Sequence, residues 1–99
     1  MKLVQKHLLK GTREFELRDD EVRVRITSPF KKKELSVPLA ILNPEPVINK
    51  SELDFHSRVK CGPMFSLLIN KPDPATFQAF VDAVKAGAQQ QFNDFAGIQ

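Results

Sequence analysis

The 99 residues of this chain include no tryptophan, no tyrosine, one cysteine, two histidines and four glycines. Because Cys61 has no partner in the chain, a scaffold held by internal disulfides is excluded. The glycines stand too far apart to build a glycine-rich phosphate loop. No cluster of His, Cys, Asp and Glu has the spacing of metal ligands, so neither a metal nor another cofactor is expected. No apolar run approaches the roughly 20 residues of a membrane-spanning helix.

The composition that remains is typical of a globular domain, with 41% hydrophobic and 27% charged residues. Ninety-nine residues are enough for one modest core and too few for two, so we expect a single domain over residues 1–99. Lys6 and Lys10 interrupt the apolar stretch that a signal peptide requires, and a lone cysteine is typical of a reducing compartment. We therefore expect a cytoplasmic protein.

Residues 13–18 and 21–26 each alternate polar and apolar side chains, with Asp19 and Asp20 between them. A two-residue turn at these aspartates predicts a β-hairpin with apolar pairs on its inner face and pairs of opposite charge on its outer face. The inner pairs are Phe15–Val24 and Leu17–Val22, and the outer pairs are Arg18–Glu21, Glu16–Arg23 and Glu14–Arg25. Since a slip of one residue would lose all of these pairs together, the alternation predicts this register.

The net charge of +3 is concentrated in the first third of the chain. Residues 1–33 contain ten Lys and Arg against five Asp and Glu, whereas residues 34–99 contain five against seven. Four of the five arginines fall in the predicted hairpin, three of them opposite a carboxylate, so strand register explains them better than phosphate contacts do. The unpaired positive charge is then carried by Lys2, Lys6, Lys10, Lys31, Lys32 and Lys33.

The run Lys31–Lys33 follows Ser28, Pro29 and Phe30 and is assigned to a loop. A lysine run in a loop is commonly a solvated surface. Its functional interpretation is a candidate anion-binding site, made of Lys31, Lys32 and Lys33, for a lipid headgroup or a phosphate chain. No aromatic residues alternate with basic ones on a predicted polar face, so a base-stacking platform for nucleic acid is not indicated.

Three further segments have strand-like patterns, residues 33–42, 52–60 and 64–69. In the first, Pro38 indicates an edge strand or a bend, because proline cannot donate to a ladder. In the second, Asp54, His56 and Arg58 are predicted to lie on a solvated outer face. The residues assigned to the inner face there are Leu53, Phe55 and Val59. Residues 2–10 favour a strand and also allow a short helix.

The end of the chain predicts one long amphipathic helix over residues 74–95, with Asp73 as its N-cap. The apolar side chains fall on one stripe, Phe77, Phe80, Val81, Val84, Ala88, Phe92 and Phe95. The helix is about 33 Å long at 1.5 Å per residue, roughly twice the width of a small barrel's end. Phe92 and Phe95 are therefore a candidate protein interface beyond the core. A bend at Gly87 that packs the whole stripe is the alternative.

Five or six β segments within residues 2–70 thus precede one helix, and residues 43–50 are assigned to a loop. No helix separates the strands, so parallel βαβ units are not expected. The pattern predicts an α+β fold in which an antiparallel sheet, curled or closed into a barrel, is covered on its apolar face by the helix.

The charged hairpin of residues 12–26, the later strands and the capped helix from Asp73 together resemble the pleckstrin-homology-like barrels of small bacterial proteins. The resemblance covers nearly the whole chain and contains no diagnostic motif. It implies a seven-stranded barrel with a carboxy-terminal helix. In lipid-binding members of that family the basic cluster lies in the loop of the first hairpin, whereas here that loop is Asp19 and Asp20 and the lysine run lies in the next loop.

The sequence therefore predicts a non-catalytic interaction module that uses the helix face with Phe92 and Phe95 to contact a protein partner or a second copy. The alternative is binding to an anionic surface, lipid or nucleic acid, through Lys31–Lys33. An enzyme is not expected. Asp54 could orient His56 on one strand face, but catalysis would also require a nucleophile and an oxyanion donor, and the pattern indicates neither.

Overall fold

The computed structural model describes residues 1–9 and 11–97, of which 95–97 are described by backbone alone. In these residues the strands are β1 Lys2–His7, β2 Gly11–Leu17, β3 Glu21–Thr27, β4 Lys32–Pro38, β5 Val47–Asn49, β6 Glu52–His56 and β7 Pro63–Leu68. A short 3-10 helix, Leu39–Ile41, follows β4, and one long helix, α1 Pro74–Gly97, ends the described chain.

All strand pairs in the described chain are antiparallel, and they form two sheets. One sheet has four strands in the order β1-β2-β3-β4, and the other has three in the order β5-β6-β7. The predicted α+β class with antiparallel strands and a carboxy-terminal helix is confirmed. The predicted count of five or six strands is wrong, and the strands do not close into one barrel.

The strand that the pattern missed is β5, which lies within the residues assigned to a loop. It is only three residues long, and it pairs on one side with β6, from Val47 opposite Asp54 to Asn49 opposite Glu52. Both Val47 and Ile48 are exposed, so this strand has no alternation of buried and exposed side chains. A sequence pattern based on alternation cannot detect a strand of this kind.

The β2–β3 hairpin has the predicted register, with Phe15 opposite Val24 on the inner face. Beyond the strands, the Arg18 amide donates to the Glu21 carbonyl at 2.9 Å and closes the predicted two-residue turn. On the outer face Arg25 contacts Glu14 across the hairpin, with 3.7 Å between nitrogen and oxygen. The other arginines pair along the chain, Arg18 with Glu16 at 3.0 Å and Arg23 with Glu21 at 3.7 Å.

The edge strand β4 ends at Pro38, earlier than the predicted boundary at residue 42. Proline has no amide hydrogen to continue the ladder, and the chain turns into the 3-10 helix instead. There the Leu39 amide donates to the carbonyl of Asp20 at 2.9 Å. The prediction that Pro38 marks an edge or a bend is confirmed on both points, because β4 is also the last strand of its sheet.

The core lies between the two sheets and α1, and Phe15 contacts all three. Its ring centroid lies 5.7 Å from that of Phe65 in β7 and 6.3 Å from that of Phe80 in α1. The buried part of the helix stripe consists of Phe77, Phe80, Val81, Val84 and Ala88. Gly87 allows the helix to approach the 3-10 helix closely, since a Cβ there would lie 3.0 Å from Cδ1 of Leu39.

Two polar side chains on neighbouring strands join the sheets on the β1 side. The Gln5 amide is fully buried, donates to the carbonyls of Leu68 (2.7 Å) and Lys71 (2.9 Å), and accepts from the Leu68 amide (2.8 Å). Its cross-strand partner Arg13 donates to the Ser66 carbonyl at 3.0 Å. Arg13 also forms an ion pair with Glu52 at 3.2 Å. We call these contacts the polar seam.

Candidate functional site

The first four strands form a meander, so the turns that follow β1 and β3 lie at the same end of the sheet. The described residues of these turns are 8–9 and 28–31. Behind them the register places one row across the four strands, Lys6, Thr12, Thr27 and Lys32. We call the described residues of segments 6–12 and 27–33 together the turn end. At about 4.8 Å per strand spacing, the centres of the two turns lie roughly 10 Å apart.

The lysine run lies at this turn end, and its assignment to a loop is only partly correct. Lys31 belongs to the turn, whereas Lys32 and Lys33 are the first residues of β4. All three are exposed. Since successive strand residues point to opposite faces, Lys32 lies in the outer row and Lys33 points to the other side, opposite Ile26. The three ammonium groups therefore spread around the end of the sheet.

The other lysines to which the sequence pattern assigns unpaired charge divide into three cases. Lys6 is exposed at the turn end, in the same row as Lys32. Lys2 lies at the opposite end of β1, beside Glu16, and is not part of this site. Lys10 lies outside the described residues. A depression of about 540 Å³ beside β1 is lined by Val4, Lys6, Lys71 and Pro72 and brings a further lysine to this side of the molecule.

The β3–β4 turn is held by hydrogen bonds between its first and last residues. The Ser28 amide donates to the Lys31 carbonyl at 2.8 Å, and the Lys31 amide donates to the Ser28 hydroxyl at 3.2 Å. Pro29 and Phe30 form the tip between them. The Phe30 side chain is 95% exposed and therefore projects into solvent beside the lysines.

The β1–β2 turn also has an apolar tip. Leu8 is fully exposed and Leu9 is 87% exposed. The Leu9 amide donates to Nδ1 of His7 at 3.1 Å, and Gly11 begins β2 with a φ of 85°. Sequence reasoning did not identify these leucines, although they fit neither strand nor helix periodicity. Their failure to fit either periodicity was the signal in the sequence that they lie outside the core.

The second candidate site is the end of the helix stripe. Phe92 is 44% exposed, beyond the buried part of the stripe. The Arg58 guanidinium lies 4.7 Å from the centroid of its ring, a cation–π contact. The side chain of Phe95 lies outside the described residues. The stripe thus extends past the core at Phe92, as the helix length predicted.

The prediction of a solvated face with Asp54, His56 and Arg58 is wrong. Asp54 is buried on the central strand of its sheet, where it accepts hydrogen bonds from the Ser66 hydroxyl at 2.6 Å and the Asn49 side-chain amide at 3.4 Å. His56 follows a bulge in β6 and is half-buried, as is Arg58. Val59, assigned to the inner face, is exposed because β6 ends at His56.

Charge on the outer face of the four-stranded sheet is internally paired. A shallow depression of about 370 Å³ there is lined mainly by the hairpin's acids and bases. Arg25 donates to Glu34 at 2.8 Å, and the Arg18 hydrogen bond and charge lower the pKa of the Glu16 carboxyl. This face therefore offers less unpaired charge to a ligand than the turn end does.

In residues 1–9 and 11–97, no three side chains of His, Cys, Asp or Glu lie together in a way that could hold a metal ion. Cys61 is exposed and unbridged. None of the helices described is long and apolar enough to cross a membrane. The chain matches no protein-family model, and comparisons with curated proteins and with solved structures give no match.

Proposed function

We propose that this protein is a non-catalytic binding module that attaches through its turn end to an anionic membrane surface. The observation that carries the proposal is the distribution of charge. The described residues of segments 6–12 and 27–33 contain four lysines, Lys6 and Lys31–Lys33, and no acidic residue, whereas the neighbouring outer face pairs its acids with its arginines. The fold collects in one place the positive charge that is separated in the sequence.

The strength of such attachment can be estimated from the lysines. Each lysine close to an anionic lipid surface contributes about 1 kcal/mol, and the contribution falls off within a Debye length. Lys31–Lys33 together thus contribute about 3 kcal/mol, or roughly a hundredfold in affinity. A lipid surface is favoured over nucleic acid because two of the three exposed side chains at the tips, Leu8 and Leu9, are aliphatic and cannot stack on bases, and Phe30 is a single ring rather than a row of rings.

Co-sedimentation with vesicles tests the proposal. We expect binding to vesicles containing phosphatidylserine, no binding to vesicles of phosphatidylcholine alone, and weaker binding as salt is raised. The triple variant Lys31→Gln/Lys32→Gln/Lys33→Gln should bind roughly a hundredfold more weakly. A control with the same change in net charge is Lys2→Gln/Lys60→Gln/Lys85→Gln, which leaves the turn end intact and should bind nearly as wild type.

Two results would contradict the proposal. One is the absence of wild-type binding to anionic vesicles at low salt. The other is equal weakening by the two triple variants, which would mean that net charge alone governs binding. Binding to a DNA duplex without binding to vesicles would support the nucleic-acid alternative instead.

A second candidate function is protein contact through the end of α1, as the stripe predicted. It is favoured by the exposed ring of Phe92, which lies past the buried stripe and is covered on one side by Arg58. Sedimentation velocity of wild type and Phe92→Asp tests self-association, with Val59→Asp as an exposed control. If wild type and both variants are folded monomers, self-association through this end is excluded.

The resemblance to the pleckstrin-homology-like family is also retained as a proposal, in the number and order of the strands and helix and not in the closure of a barrel. It is supported by seven antiparallel strands followed by one helix whose buried side chains share a core with those of both sheets. The proposed membrane function does not depend on it, because it rests on the charge and exposure of the turn end alone.

A further inference from the structure

We infer that the turn end inserts apolar side chains below the headgroups of an anionic bilayer, with Leu8, Leu9 and Phe30 as the inserting groups. This inference rests on the proposed function and states how the attachment is made. It adds a contact that salt does not screen to the electrostatic contact of the lysines.

The first observation is where the exposed apolar side chains lie. Among the large apolar residues described, Leu8, Phe30 and Leu9 are the most exposed, at 103%, 95% and 87%. They come from two distant parts of the sequence, yet the meander brings both tips to the same end. Side chains fully exposed on separate turns are not explained by packing within the chain.

The second observation is that the described residues of both tips make hydrogen bonds within their turns. Hydrogen bonds between Ser28 and Lys31 close one turn. In the other, Leu9 donates to His7, and Gly11 fits closely against the Thr27 carbonyl of β3. A turn that is already ordered loses little conformational entropy when its side chains enter a bilayer interface.

The third observation is the spacing between the apolar tips and the lysines. Lys32 lies two residues after Phe30, and Lys6 lies two residues before Leu8, which is at most about 7 Å at the rise of an extended chain. Amphipathic elements bury their apolar groups about 5–10 Å into the boundary between headgroups and acyl chains. With the tips at this depth, the lysine ammonium groups lie at the level of the lipid phosphates, and their flexible stems allow them to reach it.

The lack of tryptophan in the chain provides a direct test. In the variant Phe30→Trp the new indole is the only tryptophan, and in the control Val59→Trp it lies at an exposed site in the segment between β6 and β7. On adding phosphatidylserine vesicles, we expect the emission of Phe30→Trp to shift to shorter wavelength. Lipids brominated on their acyl chains should quench it. The emission of the Val59→Trp control should change little.

A second measurement separates insertion from charge. The variant Leu8→Ser/Leu9→Ser keeps every lysine and removes only exposed side chains, and the matched control Val47→Ser/Ile48→Ser does the same on β5. We expect the first variant to bind phosphatidylserine vesicles at least roughly a hundredfold more weakly than wild type, because each of the two leucines buried from water contributes about a factor of ten or more. Its remaining binding should disappear at high salt, whereas wild type retains part of its binding there. The control should bind as wild type.

The outcomes separate this inference from the proposed function. If wild type binds anionic vesicles but Phe30→Trp shows neither shift nor quenching, and Leu8→Ser/Leu9→Ser binds as wild type, insertion is wrong and electrostatic attachment stands. If wild type does not bind at all, both are wrong. If wild type is a dimer without lipid and the leucine variant is a monomer, the tips are an interface between two copies, which overturns insertion.

Discussion

Gly11 occupies a position that no other residue can take without moving the backbone. Its φ of 85° lies in the left-handed region that side chains with a Cβ disfavour. A Cβ built on it would lie 2.1 Å from the carbonyl oxygen of Thr27, which belongs to the neighbouring strand. Both the conformation and the neighbour therefore require glycine at the start of β2.

Gly62 provides a comparison that separates these two causes. It also has a positive φ, 96°, but no atom lies within 4 Å of the place a Cβ would take. We expect Gly62→Ala to lower the free energy of unfolding by about 1 kcal/mol, from the backbone conformation alone. Gly11→Ala should lower it by at least about 2 kcal/mol, since the clash is added. Urea denaturation measures both. Equal losses would show that β2 and β3 separate easily at Gly11.

At the scale of elements, α1 begins with the N-cap that the sequence predicted. Asp73 accepts from the Thr76 amide and from the Thr76 hydroxyl, both at 2.8 Å. These hydrogen bonds, the backbone one first, lower the pKa of the Asp73 carboxyl from its ordinary value of 3.8. The carboxylate is thus better stabilised in the folded chain than in the unfolded one.

This difference makes the stability contributed by Asp73 depend on pH. Since the folded pKa is depressed, the contribution is fully present above the ordinary value and is lost as pH falls through the folded pKa. We compare urea unfolding of wild type and Asp73→Asn at pH 7 and pH 3, because asparagine also caps helices but does not titrate. Any advantage of wild type at pH 7 should shrink at pH 3. An advantage that stays the same would contradict the role of the charged carboxylate.

The elements differ in how much of them the sequence could predict. The β2–β3 hairpin follows from local pairs alone, because a slip would have put Phe15 and its neighbours on the wrong face. The short β5 has no such pattern and exists only because β6 is present for it to pair with. The burial of Asp54 likewise depends on side chains from the two strands that flank it. Alternation along one segment contains no information about such neighbours.

The candidate site could likewise be predicted from the sequence only in part. The lysine run and the overhang of Phe92 follow from spacing in the sequence. The apolar tips could not be combined with the lysines from sequence, because Leu8 and Phe30 are 22 positions apart. Only the order of the strands brings their turns to one end.

At the scale of the whole molecule, the two sheets are held together differently on their two sides. Beyond β4, backbone hydrogen bonds join the chain to β6, from the Asn43 amide to the His56 carbonyl at 2.9 Å and from the Arg58 amide to the Ile41 carbonyl at 2.7 Å. On the other side the polar seam uses the side chains of Gln5 and Arg13.

The seam predicts a large effect for one buried side chain. Gln5→Leu keeps an apolar group of similar size but leaves the Leu68 amide and carbonyl without their partner. Each unsatisfied buried group costs about 1–3 kcal/mol, so for these two groups we expect the free energy of unfolding to fall by roughly 2 to 6 kcal/mol. The exposed control Gln78→Leu loses only a surface bond to Asp82 and should cost a few tenths. Similar effects of the two changes in a urea titration would contradict the contribution of the polar seam to stability.

The unequal sides predict that the two sheets separate more easily at the polar seam than at the backbone contact on the other side. The backbone contact lies near Leu42 and Ser57, and the polar seam runs from β1 to β7. Local opening of the fold should therefore start at the polar seam, and the Leu68 amide should exchange its hydrogen earlier than the Arg58 amide at the backbone contact. Gln5 directly precedes Lys6 in β1, so the polar seam begins next to the turn end. Attachment at the turn end should therefore change the exchange of the Leu68 amide more than that of the Arg58 amide.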